Sequence, residues 1–210
     1  MKKFTLIILT SLLCGYILNI EAQNYSRIHA PFYSEALNEV TMLDIYLPID
    51  YYKNPDQQYA TIYSLHGGDG NQNSGYETAN LYYILHGEDT IPSPPAIFVC
   101  PDGSCEPYAG SCWMNSDLYG PYGDYFIQDV IGFVESNFRA YPHKNFRILT
   151  GMSMGGYGSA RFGVNYPEMF RACVPQSGFP SIPDTLINTW KELYYNENGS
   201  YVPTINNGYN

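Results

Sequence analysis

At 210 residues the chain is long enough for one domain and short for two. Its 10 Lys and Arg face 20 Asp and Glu, and without the first 22 residues the balance is 8 against 19, a formal charge of −11. Such a surface repels phosphate backbones and excludes a nucleic-acid-binding role. The 22 tyrosines suit contact with sugar or phenolic surfaces.

The chain opens MKKFTLIILTSLLCGYILNIEAQ. Lys2 and Lys3 precede an apolar run, Phe4 to Leu18, and Ala22 is a small residue fit to precede a cleavage. This reads as a signal peptide, residues 1–22, which sends the rest of the chain to a secreted or periplasmic location. Leu13 is too large for the position before a lipid-bearing Cys14, and no later segment is apolar enough to cross a bilayer. Four cysteines follow residue 22, and an exported chain is permitted disulfides. Three full pairings are possible. Cys105 and Cys112 share one loop and are the expected pair. Cys100 and Cys173 fall in apolar runs and are expected as buried thiols.

In chain order, Glu39 to Leu47 has strand character and stops at Pro48. Tyr59 to Leu65 is a buried strand that breaks into the glycines of LHGGDG. Thr78 to His86 has the pattern of a short helix. Ala96 to Cys100 is a second buried strand, followed by a long loop, GSCEPYAGSCWMNSDLYGPYG. Phe126, Ile127, Val130, Ile131, Val134 and Phe138 recur at helical spacing, which predicts a helix capped by Asp124 and running to about Ala140. NFRILTG is a third buried strand, Met154 to Asn165 a helix closed by Tyr166-Pro167, and FRACVPQSG a fourth buried strand. Buried strands alternating with helices imply an α/β fold with a mostly parallel sheet covered on both faces. Beyond Gly178 the chain turns Asn-rich, with one short helix near Thr185 to Tyr195 and no further buried strand.

The chemistry concentrates at Gly151-Met152-Ser153-Met154-Gly155, the G-x-S-x-G pattern of a nucleophile on a sharp strand-to-helix turn. Side chains two positions either side of that serine would collide with the neighbouring strand or helix, which accounts for both glycines. The helix start directs amides at the site and favours developing negative charge. The glycines of Leu65–Gly70 follow a buried strand and can turn an N–H toward the same point. Asn24-Tyr25-Ser26 and Asn198-Gly199-Ser200 fit the glycosylation pattern. No histidine or cysteine spacing suits a metal, the acidic GGDGNQNSGYE lacks calcium-loop spacing, and nothing calls for a cofactor.

Taken together, LDIYLPIDY, YSLHGGDGNQNSGY, IFVCPDG, CWMNSDLYGPYGDYFIQDVIGFVESNFR and GMSMGGYGSARFGVNYPEMFRACVPQSG resemble a family of α/β-hydrolase esterases. It includes esterase D (S-formylglutathione hydrolase), the antigen 85 mycolyltransferases and the feruloyl and acetylxylan esterases of carbohydrate esterase family 1. The resemblance spans Tyr33 to Gly178. It implies Ser153 as nucleophile, the N–H groups of Gly68 and Met154 as the oxyanion hole, and Trp113 with its loop lining the substrate cleft. His66 lies nearest that cleft. The fold it implies would separate the strands of Cys100 and Cys173 by two others, too far for a bond between them.

One part of the family pattern is missing. Relatives place an acid and then a histidine after the serine. Here His29, His66, His86 and His143 all precede Ser153, and Glu168, Asp184, Glu192 and Glu197 are the acids that follow it. Three readings stay open: a domain, residues 23–210, cut short of its last strands and their acid and base; a catalytically silent relative that binds esters or glycans; or an earlier histidine, His66 first, standing in. The expected activity is hydrolysis of a carboxylic ester, with feruloyl or acetyl groups on a plant polysaccharide such as xylan as substrate. Transfer of the acyl group to a sugar is the neighbouring alternative.

Overall fold

The computed structural model describes residues 25–76, 78, 79, 82 and 94–178. A six-stranded sheet runs through them in the order β1-β2-β4-β3-β7-β8. The strands are β1 (Tyr25–Ser34), β2 (Glu39–Pro48), β3 (Ala60–Leu65), β4 (Ala96–Pro101), β7 (Arg147–Met152) and β8 (Ala172–Gln176). A small hairpin of β5 (Asn115–Ser116) and β6 (Gly120–Pro121) stands apart. β1 and β2 pair antiparallel through a tight turn in which Asn38 takes φ 55, a left-handed conformation its short polar side chain tolerates. β4, β3, β7 and β8 run parallel, so their carboxyl ends lie together at one end of the sheet.

The apolar runs become buried strands because side chains of both parities meet a core. Leu43, Ile45, Leu47, Tyr63, Leu65, Ile97, Val99 and Leu149 join the larger cluster on one face. Tyr25, Tyr46, Phe98 and Cys100 form a smaller one on the other, where Ala79 and Tyr82 meet them. The larger cluster is closed by two helices. Helix α1 begins at Tyr122–Asp124, widens into a π-helical stretch over Tyr125–Val130 and ends with Ile131–Asn137. Helix α2 is Met154–Asn165. Phe126 of α1 and Phe162 of α2 meet with ring centroids 4.9 Å apart, and Phe170 stacks beyond them at 6.3 Å. Burying one such ring stabilises the fold by about 1.5–3 kcal/mol.

Several expectations meet their structure here. The third strand and α2 stand as expected, and β4 and β8 are separated by β3 and β7, so Cys100 and Cys173 sit apart. Asp124 does not cap α1. The helix starts two residues earlier, and the Asp124 N–H is capped from outside by Asn115 Oδ1 at 3.0 Å. It also ends at Asn137, because Phe138 turns extended and Ala140 pairs alongside Tyr59. β8 is a strand, but its side chains are largely exposed, since among the described residues it pairs only with β7. Cys105 and Cys112 are free thiols, as are Cys100 and Cys173, and only Cys100 and Cys105 are buried. Residues 1–22, most of the expected helix Thr78–His86 and the one near Thr185 to Tyr195 lie outside the described residues.

Candidate active site

β7 runs out at Met152 and α2 begins at Met154, leaving Ser153 alone on the corner at φ 55, ψ −114. A serine held there stores about 1–3 kcal/mol of strain, so the surroundings must over-determine it. They do. The Ser153 N–H donates to Gln176 O at 2.9 Å, and its carbonyl accepts from the Tyr157 N–H at 2.9 Å. The side chain is exposed, and its Oγ has no hydrogen-bond partner among the described residues. A Cβ on Gly151 would come within 2.9 Å of Leu65 O and closer still to the Gly155 carbonyl. One on Gly155 would come within 2.7 Å of His66 O and would strike Leu65 O. Both glycines are therefore demanded by backbone atoms that cannot give way.

The loop after β3 lies against this corner. A Cβ on Gly67 would stand 3.5 Å from Ser153 Cβ and 3.4 Å from Met152 O. Asp69, at φ 57, donates its N–H to Ala109 O at 2.6 Å, and the Gly70 N–H returns to Gly67 O at 3.2 Å. The Gly68 N–H donates to no described group. The Met154 N–H belongs to the first turn of α2, where helix geometry offers no acceptor. Two amides without a described acceptor thus belong to the two segments that meet at the serine corner, one following Gly67 and one following Ser153.

His66 and Trp113 are not walls of an open cleft. Trp113 is fully buried. Its ring fills space left by Gly103 and Gly158, where added Cβ atoms would come within 2.6 and 2.7 Å of it, and its Nε1–H donates to His66 O at 3.2 Å. His66 is itself buried and packs edge-on against the indole at 5.1 Å. The Gly103 N–H donates to its Nε2 at 2.8 Å, so Nδ1 carries the proton and donates to Gly67 O at 2.7 Å. Burial lowers its pKa, opposed by that bond to Gly67 O and by the Asp102 carboxylate, whose Oδ1 lies 3.9 Å away. With both ring nitrogens engaged, His66 braces the loop rather than meeting a substrate.

The other described histidines are remote. His29 on β1 sits 2.6 Å from Asp44 Oδ1, and β1 is four strands from β7, on the order of 19 Å. His143 precedes β7 at the opposite end of the sheet and accepts the Asn145 N–H at 3.2 Å. Glu168 is exposed at that same far end, before β8. His86, Asp184, Glu192 and Glu197 lie outside the described residues. Among the described residues no group of His, Cys, Asp or Glu stands together to hold a metal ion, and no helix is long and apolar enough to cross a membrane. Sequence reasoning missed Ala109 and Cys112, which contribute through backbone groups, and Asp102, whose carboxylate stands near His66 and accepts the Ser104 N–H at 2.9 Å. Gly110 in that loop was the one local signal.

A mostly parallel sheet, a strained serine between β7 and α2, and a glycine loop after β3 define an α/β-hydrolase. The sequence pattern of the family described as "Putative esterase" matches residues 34–206, and the chain belongs to that family. It is 29% identical over 156 residues to Esterase Rv1288 of Mycobacterium tuberculosis, covering 72% of this chain and 32% of that one. It is 28% identical over 158 residues to endo-1,4-beta-xylanase Y of Acetivibrio thermocellus, covering 68% of this chain and 13% of the xylanase. The chain therefore spans about a third of the mycobacterial esterase. The ferulic acid esterase of the anaerobic fungus Anaeromyces mucronatus superposes with a TM-score of 0.60 at 20% identity, over 75% of this chain and 60% of that one, a likeness of fold.

Proposed function

We propose that the chain is the serine-bearing part of an exported carboxylic-ester hydrolase acting on feruloyl or acetyl groups carried by a plant polysaccharide such as xylan. The observation that carries the reading is Ser153, exposed at φ 55 between two glycines that backbone contacts make obligatory. Ser153 Oγ attacks the ester carbon and loses its proton to a base. The carbonyl oxygen becomes an oxyanion received by the N–H groups of Gly68 and Met154. The sugar hydroxyl then leaves with the proton, giving an acyl-serine, and water releases the acid by the same steps in reverse. The family, the xylanase-named relative and the fold shared with a ferulic acid esterase support the substrate class. The basic, apolar start of the chain supports export of residues 23–210 as one esterase domain.

The base is the open position. A serine without one is a poor nucleophile at neutral pH. No histidine follows Ser153 in the 210 residues, and none of the described ones reaches it. In this reading the histidine and its acid come from outside those residues. That same observation favours a second reading, a silent relative that binds the ester or glycan without turnover.

The deciding experiment measures hydrolysis of methyl ferulate and p-nitrophenyl acetate, with retention on insoluble xylan alongside, for the protein that includes that histidine and acid and for its Ser153→Ala variant. The hydrolase reading expects turnover that Ser153→Ala abolishes. An equally active alanine variant rejects Ser153. Xylan retention unchanged by the substitution, with no turnover in either protein, selects the binding reading.

A further inference from the structure

The two amides assigned to the oxyanion belong to residues 68 and 154, far apart in sequence, and no described hydrogen bond joins them. A third piece touches both: the segment Gly103–Trp113, between β4 and α1. Toward the first amide, the Gly103 N–H donates to His66 Nε2 at 2.8 Å, Ala109 O accepts the Asp69 N–H at 2.6 Å, and Trp113 Nε1–H donates to His66 O at 3.2 Å. Gly68 rests on the same carbonyl, for a Cβ there would stand 3.4 Å from Ala109 O. Toward the second amide, the Cys112 N–H donates to Met154 Sδ at 3.3 Å. Gly110, at φ 139, lies so close to that thioether that a Cβ would come within 2.5 Å of Sδ and 2.8 Å of Cε. The segment is stiff in itself. The Ser111 N–H and Oγ both donate to Gly103 O, at 3.2 and 2.8 Å, and Tyr122 Oη donates to Ser104 O at 2.7 Å.

We propose that Gly103–Trp113 is a spacer that sets the separation of the two oxyanion amides, with the Met154 thioether and the His66 imidazole as its two anchors. Both side chains are then positioning residues for the hydrolysis proposed above, on which this inference rests. Neither needs to touch substrate. Met154 meets the site through its backbone N–H, while its side chain turns the other way to fill the cradle of Gly110 and Cys112. A sulfur acceptor is weak. Its effect lies in fixing which way an unbranched, adaptable side chain packs.

The test uses the protein that includes the proposed histidine and acid, with Met154→Leu, Met154→Gln, His66→Asn and the double variant Met154→Leu/His66→Asn. Leucine keeps the volume and the backbone N–H but removes the acceptor. Glutamine keeps the length and restores one. Asparagine keeps a donor for Gly67 O but leaves the Gly103 N–H unpaired. Two quantities are read: hydrogen exchange at the Asp69 amide, and the rate at which a fluorophosphonate probe labels Ser153. Met154→Leu is expected to speed Asp69 exchange about tenfold although residue 154 lies across the spacer, with the melting midpoint little changed and glutamine restoring most of the protection. Labelling is expected to slow about tenfold in each single variant, less than the 10²–10³ of losing a donor outright. The double variant should fall well short of the product of the two, because one spacer is released twice. Unchanged Asp69 exchange in Met154→Leu, or multiplicative effects in the double variant, overturns the spacer. A wild-type protein, complete with that histidine and acid, that the probe never labels instead removes the hydrolase reading, and the exchange measurement then decides the spacer alone.

Discussion

The two flanks of Ser153 are built differently. On the β3 and β4 side, Leu65–Gly70 and Gly103–Trp113 interlock, with Trp113, His66 and Ser111 buried and their polar atoms bonded. On the other side lies β8, bonded to β7 through its backbone but with Ala172, Val174, Pro175 and Gln176 exposed. The difference separates the two requirements of acyl transfer. Stabilising the oxyanion takes fixed amides, and the two proposed for it, of Gly68 and Met154, lie within the described residues. Moving the proton takes a histidine and an acid, and the β8 flank supplies neither among them. In the proposed reaction the groups for charge stabilisation thus lie on the interlocked flank, while no described residue is assigned to proton handling.

The contrast is broken most severely at its interlocked flank. Trp113→Ala should cost about 3–5 kcal/mol in urea unfolding, because the indole sits between Gly103 and Gly158 and no neighbour can collapse into its place. Gly155→Ala should cost about 3 kcal/mol, at the upper end for overpacking, since the new methyl meets the backbone carbonyls of Leu65 and His66. A Gly155→Ala protein that melts with the wild type would show that the elbow is looser than its contacts imply.

Acid tests the same flank more gently. His66 is buried with its pKa lowered, so the folded chain resists a proton that the unfolded chain accepts below about 6.5. Through this group stability rises with pH in that range, and it is lost as pH falls from the unfolded value toward the depressed folded one. His66→Asn should flatten that part of the stability–pH curve, and an unaltered slope would remove His66 from it. The mildest change belongs to the open flank. Val174 is half exposed on β8, and Val174→Thr should alter stability by less than about 0.5 kcal/mol. A larger loss would mean that β8 is covered in solution.

Legibility followed the range of the interactions. The elbow could be read because G-x-S-x-G and the apolar run before it lie within a dozen residues, and local sterics alone demand the glycines. β3, β4, β7 and α2 could be read for the same reason, as continuous apolar runs closed by Gly or Pro. Trp113 could not. In one dimension it is an aromatic in a polar loop, and the family resemblance implied that it lines the substrate cleft. Its burial depends on small residues at 103 and 158, brought together only by the packing of α2 against the sheet. Asp124 looked like a cap because it precedes the periodic residues, yet Asn115, from a neighbouring hairpin, does the capping. β8 looked buried because its composition is apolar, but composition does not say which strand stands at an edge.

From sequence alone came an α/β chain of esterase type, a serine at position 153 on a tight corner, and the shortage of a histidine after it. The α/β class, the corner and the missing histidine rest on short-range sterics and on residue identity, and the esterase type on the resemblance of the motifs to a known family; none of these needs coordinates. The tertiary structure alone decided that His66 and Trp113 are buried and bonded to each other's segments, that Gly103–Trp113 touches both the loop after β3 and Met154, and that the two flanks of Ser153 differ in burial. Each of those depends on which distant segments meet, and contact between segments is a property of the packed sheet and helices rather than of any stretch of sequence.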